Sequence, residues 1–138
     1  MNDTIDLIRR YCDAFNRGDW NGMLALLDEK VVHDINQEGR QVGRDRFAAY
    51  LDRTSASYAE ELRNVVVMAN EAGTRAAAEY MVHGVYKATD EGRPLAQGQT
   101  YVLPGGAFFE VSDGRITRIT RYYNLEDWLA QVRRVDVD

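Results

Sequence analysis

The chain has 138 residues, 45% of them hydrophobic and 28% charged, with only two prolines; this is the make-up of one globular domain with its own core and excludes a disordered or fibrous polymer. A formal net charge of -5 argues against a nucleic-acid partner, which needs Lys and Arg clustered on one face. Cys12 is the single cysteine, so neither an internal disulfide nor a cysteine-based metal site can form.

The opening stretch "MNDTIDLIRR" has no basic segment followed by an apolar one, and no run of about 18 apolar residues follows. A cytoplasmic protein without membrane contact is expected. Ile5, Leu7, Ile8, Tyr11, Cys12 and Phe15 recur at helical spacing and predict a helix over 3–16, with Asp3 or Thr4 as its N-cap. Asn16 and Gly18 stop it, and "DWNGMLALLDEK" predicts a second short helix with Trp20, Met23, Leu24 and Leu27 on one face. "KVVHDI" predicts a short strand, "NQEGRQVG" a turn, and "RDRFAAYLDRTSAS" a third helix, with Phe47, Tyr50 and Leu51 three and four apart.

From Ala59 onward the pattern is strand, turn, strand. Four strands are predicted over "EELRNVVVMA", "TRAAAEYMVHGVYKA", "GQTYVLPGGAFFEV" and "RITRITRYYNL", joined by turns that hold Gly with Asp, Asn or Glu. Asp113-Gly114 is a pair that suits a tight hairpin. Pro104-Gly105-Gly106 predicts a bulge in mid-strand, because Pro removes a ladder donor and Gly permits a kink. "LEDWLAQVRRV" predicts a closing helix from Leu125, Trp128, Leu129 and Val132. Helices first and a long antiparallel meander afterwards make an α+β fold, a single domain over 1–138. Its curved sheet, closed by the helices, forms a cone whose interior is the place to look for a small-molecule ligand.

The stretch "RRYCDAFNRGDWNGMLALLDEKVVHDINQEGRQVGRDRFAAYL" and the closing "DGRITRITRYYN" resemble ketosteroid isomerase and its relatives, which share the nuclear-transport-factor-2-like (cystatin-like) cone fold with SnoaL-like polyketide cyclases, scytalone dehydratase and limonene epoxide hydrolase. The likeness runs over essentially the whole chain. "INQEGRQVG", "GQTYVLPGGAFFE" and "YYNLEDW" look typical of the ketosteroid-isomerase-related branch. Ketosteroid isomerase uses an Asp general base and an oxyanion hole built from a Tyr and a protonated Asp. Residue by residue, the resemblance implies Asp34 as the base and Tyr11 as the oxyanion-hole tyrosine. The remaining acid falls on Ala107, or on Gly106 if the turn is one residue different, and neither side chain can donate a hydrogen bond.

In the same register Tyr101, Phe109, Ile119, Arg121 and Tyr123 point inward, since alternate strand residues share a face. Arg121 then suits a carboxylate or enolate oxygen, or an ion pair with Asp34. Asn36, Tyr50 and Tyr58 are further candidate wall residues. Each has a plainer reading: Asp34 as the cap of a turn, Tyr11 as a core tyrosine, Arg121 as one of the surface charges of "RITRITR". His33, next to Asp34, is expected on the opposite side of its strand, toward sheet neighbours or a partner subunit. His33 and His83 lack a paired-ligand spacing, so no metal is expected, and whether Glu79 and His83 face the cavity stays open.

The resulting expectation is a small, cofactor-independent isomerase-like enzyme that moves a proton on an apolar carbonyl-containing molecule. The alternatives are a non-catalytic binding or assembly domain of the same fold, or a polyketide cyclase or epoxide hydrolase activity. A homodimer through the outer sheet face is expected, with Val82, Tyr86 and Phe108 as its apolar surface.

Overall fold

The computed structural model describes residues 2–35 and 37–133. Its elements run α1 (Asn2–Arg17), α2 (Trp20–Leu24), β1 (Leu27–Ile35), β2 (Gly39–Val42), α3 (Arg44–Ser57), β3 (Tyr58–Ala69), β4 (Arg75–Tyr86), β5 (Gln99–Ser112), β6 (Arg115–Tyr123) and α4 (Leu125–Val132). The strands form one curved, unclosed sheet in the order β2-β1-β6-β5-β4-β3. All its joints are antiparallel except β1 to β6, which is parallel.

Both long helices lie where apolar spacing places them, α3 with the residues expected. The second helix is shorter than its sequence suggests. Leu27 is already paired with Ile116 of β6, so the chain extends at that point and β1 begins ahead of "KVVHDI". The stretch read as a turn over 36–43 contains the edge strand β2, which pairs Gly39, Arg40, Gln41 and Val42 with β1. At the β5–β6 hairpin, Asp113 and Gly114 both take positive φ, 52° and 73°, which is the backbone a two-residue primed turn requires.

The bulge expected at Pro104-Gly105-Gly106 is absent. Pairing from β4 to β5 runs unbroken through Tyr80↔Gly105 and Met81↔Pro104, while register shifts fall at Leu27/Val32 in β1, at Arg63/Val66 in β3 and at Glu110/Val111 between β5 and β6. Pro104 is tolerated because β6 ends opposite Gly105, leaving no neighbour there to demand its missing N–H. Gly105 has a packing reason: a Cβ on it would come within 2.9 Å of the Tyr80 ring.

The concave face of the sheet carries the core. Ala78, Tyr80, Val82 and Tyr86 of β4 and Tyr101, Leu103, Ala107 and Phe109 of β5 are buried there against Leu7, Ile8, Tyr11, Phe47 and Leu51 of α1 and α3. Asn16 fastens the end of α1 to β3 by hydrogen bonds with both backbone groups of Leu62, at 2.9 and 2.8 Å. Val82 and Tyr86, expected on the outer face, are therefore core residues. Met81, Glu79 and His83 alternate with them and lie on the convex face, where Val66, Met68, Val102, Phe108 and Tyr122 are exposed. Among the described residues no helix is long and apolar enough to cross a membrane, and no group of His, Cys, Asp and Glu could hold a metal ion.

Candidate functional site

The concave face and the helices enclose a cavity of about 540 Å³, with Trp128 of α4 in its wall. Apolar and aromatic side chains, Phe15, Trp20, Leu51, Leu103 and Trp128, share its walls with polar ones, and of the charged residues there, Arg17, Lys87, Glu60 and Arg121, the last two face each other from β3 and β6. Strand alternation puts both inside: Glu60 shares a face with Tyr58 and Leu62, and Arg121 with Ile119 and Tyr123.

A three-residue row across the sheet holds Glu60 in place. Glu60 of β3, Gly84 of β4 and Tyr101 of β5 are direct neighbours, and the Tyr101 hydroxyl donates to Glu60 Oε2 at 2.6 Å. Only glycine permits this reach. A Cβ at position 84 would stand 2.2 Å from Tyr101 Cζ, so the tyrosine lies over bare backbone. Burial, with the Glu60 charge second, pushes the Tyr101 phenol far above its ordinary pKa, so it stays a donor.

The other oxygen, Oε1, stands 4.0 Å from Arg121 Nη2, wider than a hydrogen bond. Arg121 is otherwise approached by the Tyr50 hydroxyl, at 3.5 Å from Nη1. Burial works against the guanidinium charge, and the oxygens of Tyr50, Tyr80, Glu60 and Tyr11 outweigh it, so the pKa lies above the ordinary value. A carboxylate with lone pairs to spare thus faces a guanidinium with N–H groups to spare, on the wall of one cavity.

Beyond Arg121 the cone narrows to an inner chamber of about 20 Å³, lined by Tyr11, Cys12, His33, Tyr80, Ala107 and Phe109 among others. Tyr11 packs edge-on against Phe109 at 5.5 Å, and burial raises its phenol pKa well above the ordinary value. Cys12 is pushed up to about 11 by burial and stays a thiol. His33 is 2% exposed, and neither ring nitrogen has a hydrogen-bond partner among the described residues. Burial, helped by the nearby Arg121 charge, pushes its pKa down to about 4, so the ring is neutral near pH 7.

Arg121, Tyr123, Tyr50 and Tyr58 therefore line the main cavity, Tyr101 supports it from behind Glu60, and Tyr11, Ala107 and Phe109 line the inner chamber. Asn36 lies outside the described residues. Asp34 is in neither cavity. β1 sets Val31, His33 and Ile35 inward, each 7% exposed or less, so Asp34 projects from the convex face. There it accepts from Arg40 at 2.6 and 3.1 Å and from Thr120 at 3.1 Å. The hydrogen bonds from Arg40 are the main reason its carboxyl pKa falls below the ordinary value. The assignment of Asp34 as the pocket base, and of His33 to the outside, is thus reversed by the parity of the strand. Arg121, on the opposite face, makes no pair with Asp34.

The SnoaL-like domain family model matches residues 8–119. The chain belongs to the SnoaL-like domain family. A protein from Xanthomonas campestris pv. campestris, named a "putative polyketide cyclase", is 60% identical over 95% of this chain and 97% of its own, with a TM-score of 0.92. A protein of the same designation from Pseudomonas putida KT2440 is 55% identical, covering 94% of this chain and 97% of that one, also with a TM-score of 0.92. A Mycobacterium tuberculosis LEH-like epoxide hydrolase, 20% identical over 96% and 90% of the two chains with a TM-score of 0.76, shares the fold. No protein of curated function matches the sequence.

Two residues of this SnoaL-like domain escaped the reading of its sequence. Glu60 sits beside Glu61, and only the alternation with Tyr58 and Leu62 distinguishes the inward member of the pair. His33 alternates with Val31 and Ile35 in the same way. In both cases the signal was the period of two, and at β1 it ran against the register carried over from the resemblance.

Proposed function

We propose that this SnoaL-like domain is a cofactor-independent enzyme that moves a proton on an apolar, carbonyl-bearing small molecule, with Glu60 as the base and Arg121 as the partner of the developing oxyanion. The observation that carries this reading is the unclosed pair: Glu60 Oε1 and Arg121 Nη2 are 4.0 Å apart on the wall of a cavity large enough for a ligand. In the proposed step the C–H bond next to a carbonyl breaks, the proton passes to Glu60, and the negative charge moves to the carbonyl oxygen beside Arg121. The enolate then either takes the proton back at another carbon, an isomerisation, or attacks a second carbonyl carbon to close a ring, the alkoxide so formed taking the proton back from Glu60. Relatives named putative polyketide cyclases at 60% and 55% identity favour ring closure. The hydroxyls of Tyr50, Tyr58 and Tyr123 on the cavity wall would orient the ligand's oxygens.

The second reading, a binding domain without catalysis, is favoured by Ala107: where the ketosteroid isomerase resemblance calls for an acid, the inner wall carries a buried methyl group. A panel of enolisable ketones, β,γ-unsaturated ketones and poly-β-carbonyl compounds, incubated with the wild type, Glu60→Gln and Arg121→Met, separates the two. Turnover that falls roughly 100- to 10,000-fold in Glu60→Gln, with binding retained, supports proton transfer. Equal binding without turnover in all three supports the binding domain. The same proposal takes the exposed apolar residues of the convex face, Phe108 and Tyr122 among them, as the contact between two copies; Phe108→Asp should then turn a dimer into a monomer in sedimentation velocity.

A further inference from the structure

The inner chamber is the part of the cone that the proposed chemistry leaves unused. Its volume of about 20 Å³ is room for one water molecule and no more. His33 nevertheless lies in its wall with both ring nitrogens buried and without a partner among the described residues, an arrangement that costs free energy unless something offsets it. Four residues, Phe15, Tyr50, Leu51 and Arg121, line both chambers and so form the partition between them. Of these, Tyr50 is the one whose ring lies directly against the imidazole, edge-on at 4.7 Å, with Phe47 at 4.8 Å from the same imidazole.

Tyr50 is held from the solvent side as well. Arg53 places its guanidinium 5.4 Å from the Tyr50 ring centre and is itself tied to Glu38 at 2.8 and 2.9 Å and to Asp90 at 3.4 Å. Glu38 follows β1, and Asp90 belongs to the β4–β5 connection, so the arginine that lies over the Tyr50 ring is itself held from two segments of the chain. We propose that Tyr50 is the specificity-determining residue of the cone: its ring ends the ligand site at Arg121 and withholds from the ligand a second polar subsite, the His33 imidazole, suited to a neutral hydroxyl. The proposal rests on the reading of the larger cavity as the ligand site, and it fixes the length of ligand that site admits.

The test uses acetophenone, an acetylbiphenyl and its para-hydroxy derivative as binding probes on the wild type, Tyr50→Ala, Tyr50→Val and the double variant Tyr50→Ala with His33→Leu, each checked for folding by thermal melting. The wild type should bind acetophenone and show no preference between the two longer ketones. In Tyr50→Ala the hydroxylated probe should bind about tenfold more tightly than its parent, and the double variant should lose that preference. As a readout independent of any ligand, diethyl pyrocarbonate should leave His33 unmodified in the native wild type and attach one ethoxycarbonyl group to it in Tyr50→Ala and Tyr50→Val. A hydroxyl preference already present in the wild type, or a His33 that stays unreactive in both folded Tyr50 variants, would overturn the proposal. Absence of turnover on any substrate would count against Glu60 chemistry and leave these binding and labelling results standing.

Discussion

The two faces of the sheet each set a carboxylate against an arginine, and the pairs differ in what each has left to offer. On the convex face Asp34 takes two hydrogen bonds from Arg40 and one from Thr120, while Arg118 reaches Thr120 and Glu110, so the charges close on one another. On the concave face Glu60 and Arg121 stop 4.0 Å apart, with side chains only 19% and 26% exposed, beside an open cavity. A closed pair in contact with water contributes little and does no chemistry. An unclosed pair in a partly dry cavity keeps one carboxylate oxygen and several N–H groups for a ligand. The location of a carboxylate on the sheet thus matters more than its presence in a sequence motif.

The largest effect that would sharpen this contrast concerns how dry the concave side is. His33 has a folded pKa of about 4 against an ordinary 6.5, so the unfolded chain binds the extra proton first. Stability should be full above pH 6.5 and fall as the pH drops toward 4, by about 3 kcal/mol for a shift of that size. Urea melts across that range, with His33→Leu as reference, should show this slope in the wild type and not in the variant. Equal slopes in both proteins would mean that water reaches the ring and that the inner chamber is not sealed.

Next in size is Gly84→Ala. The added methyl would meet Tyr101 at 2.2 Å, so the ring must move and its hydrogen bond to Glu60 must break. A loss of about 2 kcal/mol is expected in thermal or urea melts. Tyr101→Phe should cost less, because it removes the hydrogen bond without the clash, so the order of the two variants is the check. A Gly84→Ala protein as stable as the wild type would place Tyr101 elsewhere.

The smallest effect is on the convex face. Asp34→Asn should change stability at pH 7 by less than about 1 kcal/mol, as for partly exposed ion pairs generally. The Asp34 carboxyl is held below its ordinary 3.8, so its contribution is present above that pH and disappears as the pH falls below it. The wild-type and Asp34→Asn stabilities should therefore converge in acid. A difference of several kcal/mol at neutral pH would make Asp34 a buried charge and contradict its placement.

Much of the fold was legible because local signals sufficed. The limits of α3 followed from apolar spacing, and Tyr101, Ala107, Phe109, Arg121 and Tyr123 lie on the expected face, although the β5–β6 pairing slips by one residue between Glu110 and Val111. The failures lie where no local signal exists. β1 is joined to β6 in parallel across most of the chain, and its hairpin partner β2 reads as a turn, so the alternation of Val31, His33 and Ile35 was the remaining guide to its facing. β2 is a four-residue edge strand without a buried side chain, which reads as a turn. Glu60 became visible only when Gly84 and Tyr101 were brought beside it by pairing across three strands.

The measurement that bears most directly on the central claim is the turnover of Asp34→Asn beside that of Glu60→Gln, on whichever carbonyl substrate of the panel the wild type converts. With the chemistry on the concave face, Asp34→Asn should keep its rate within about threefold, and Glu60→Gln should lose roughly 100-fold or more with binding intact. The reverse, an inactive Asp34→Asn and an active Glu60→Gln, would put the reacting group on the other face of the sheet and contradict the account.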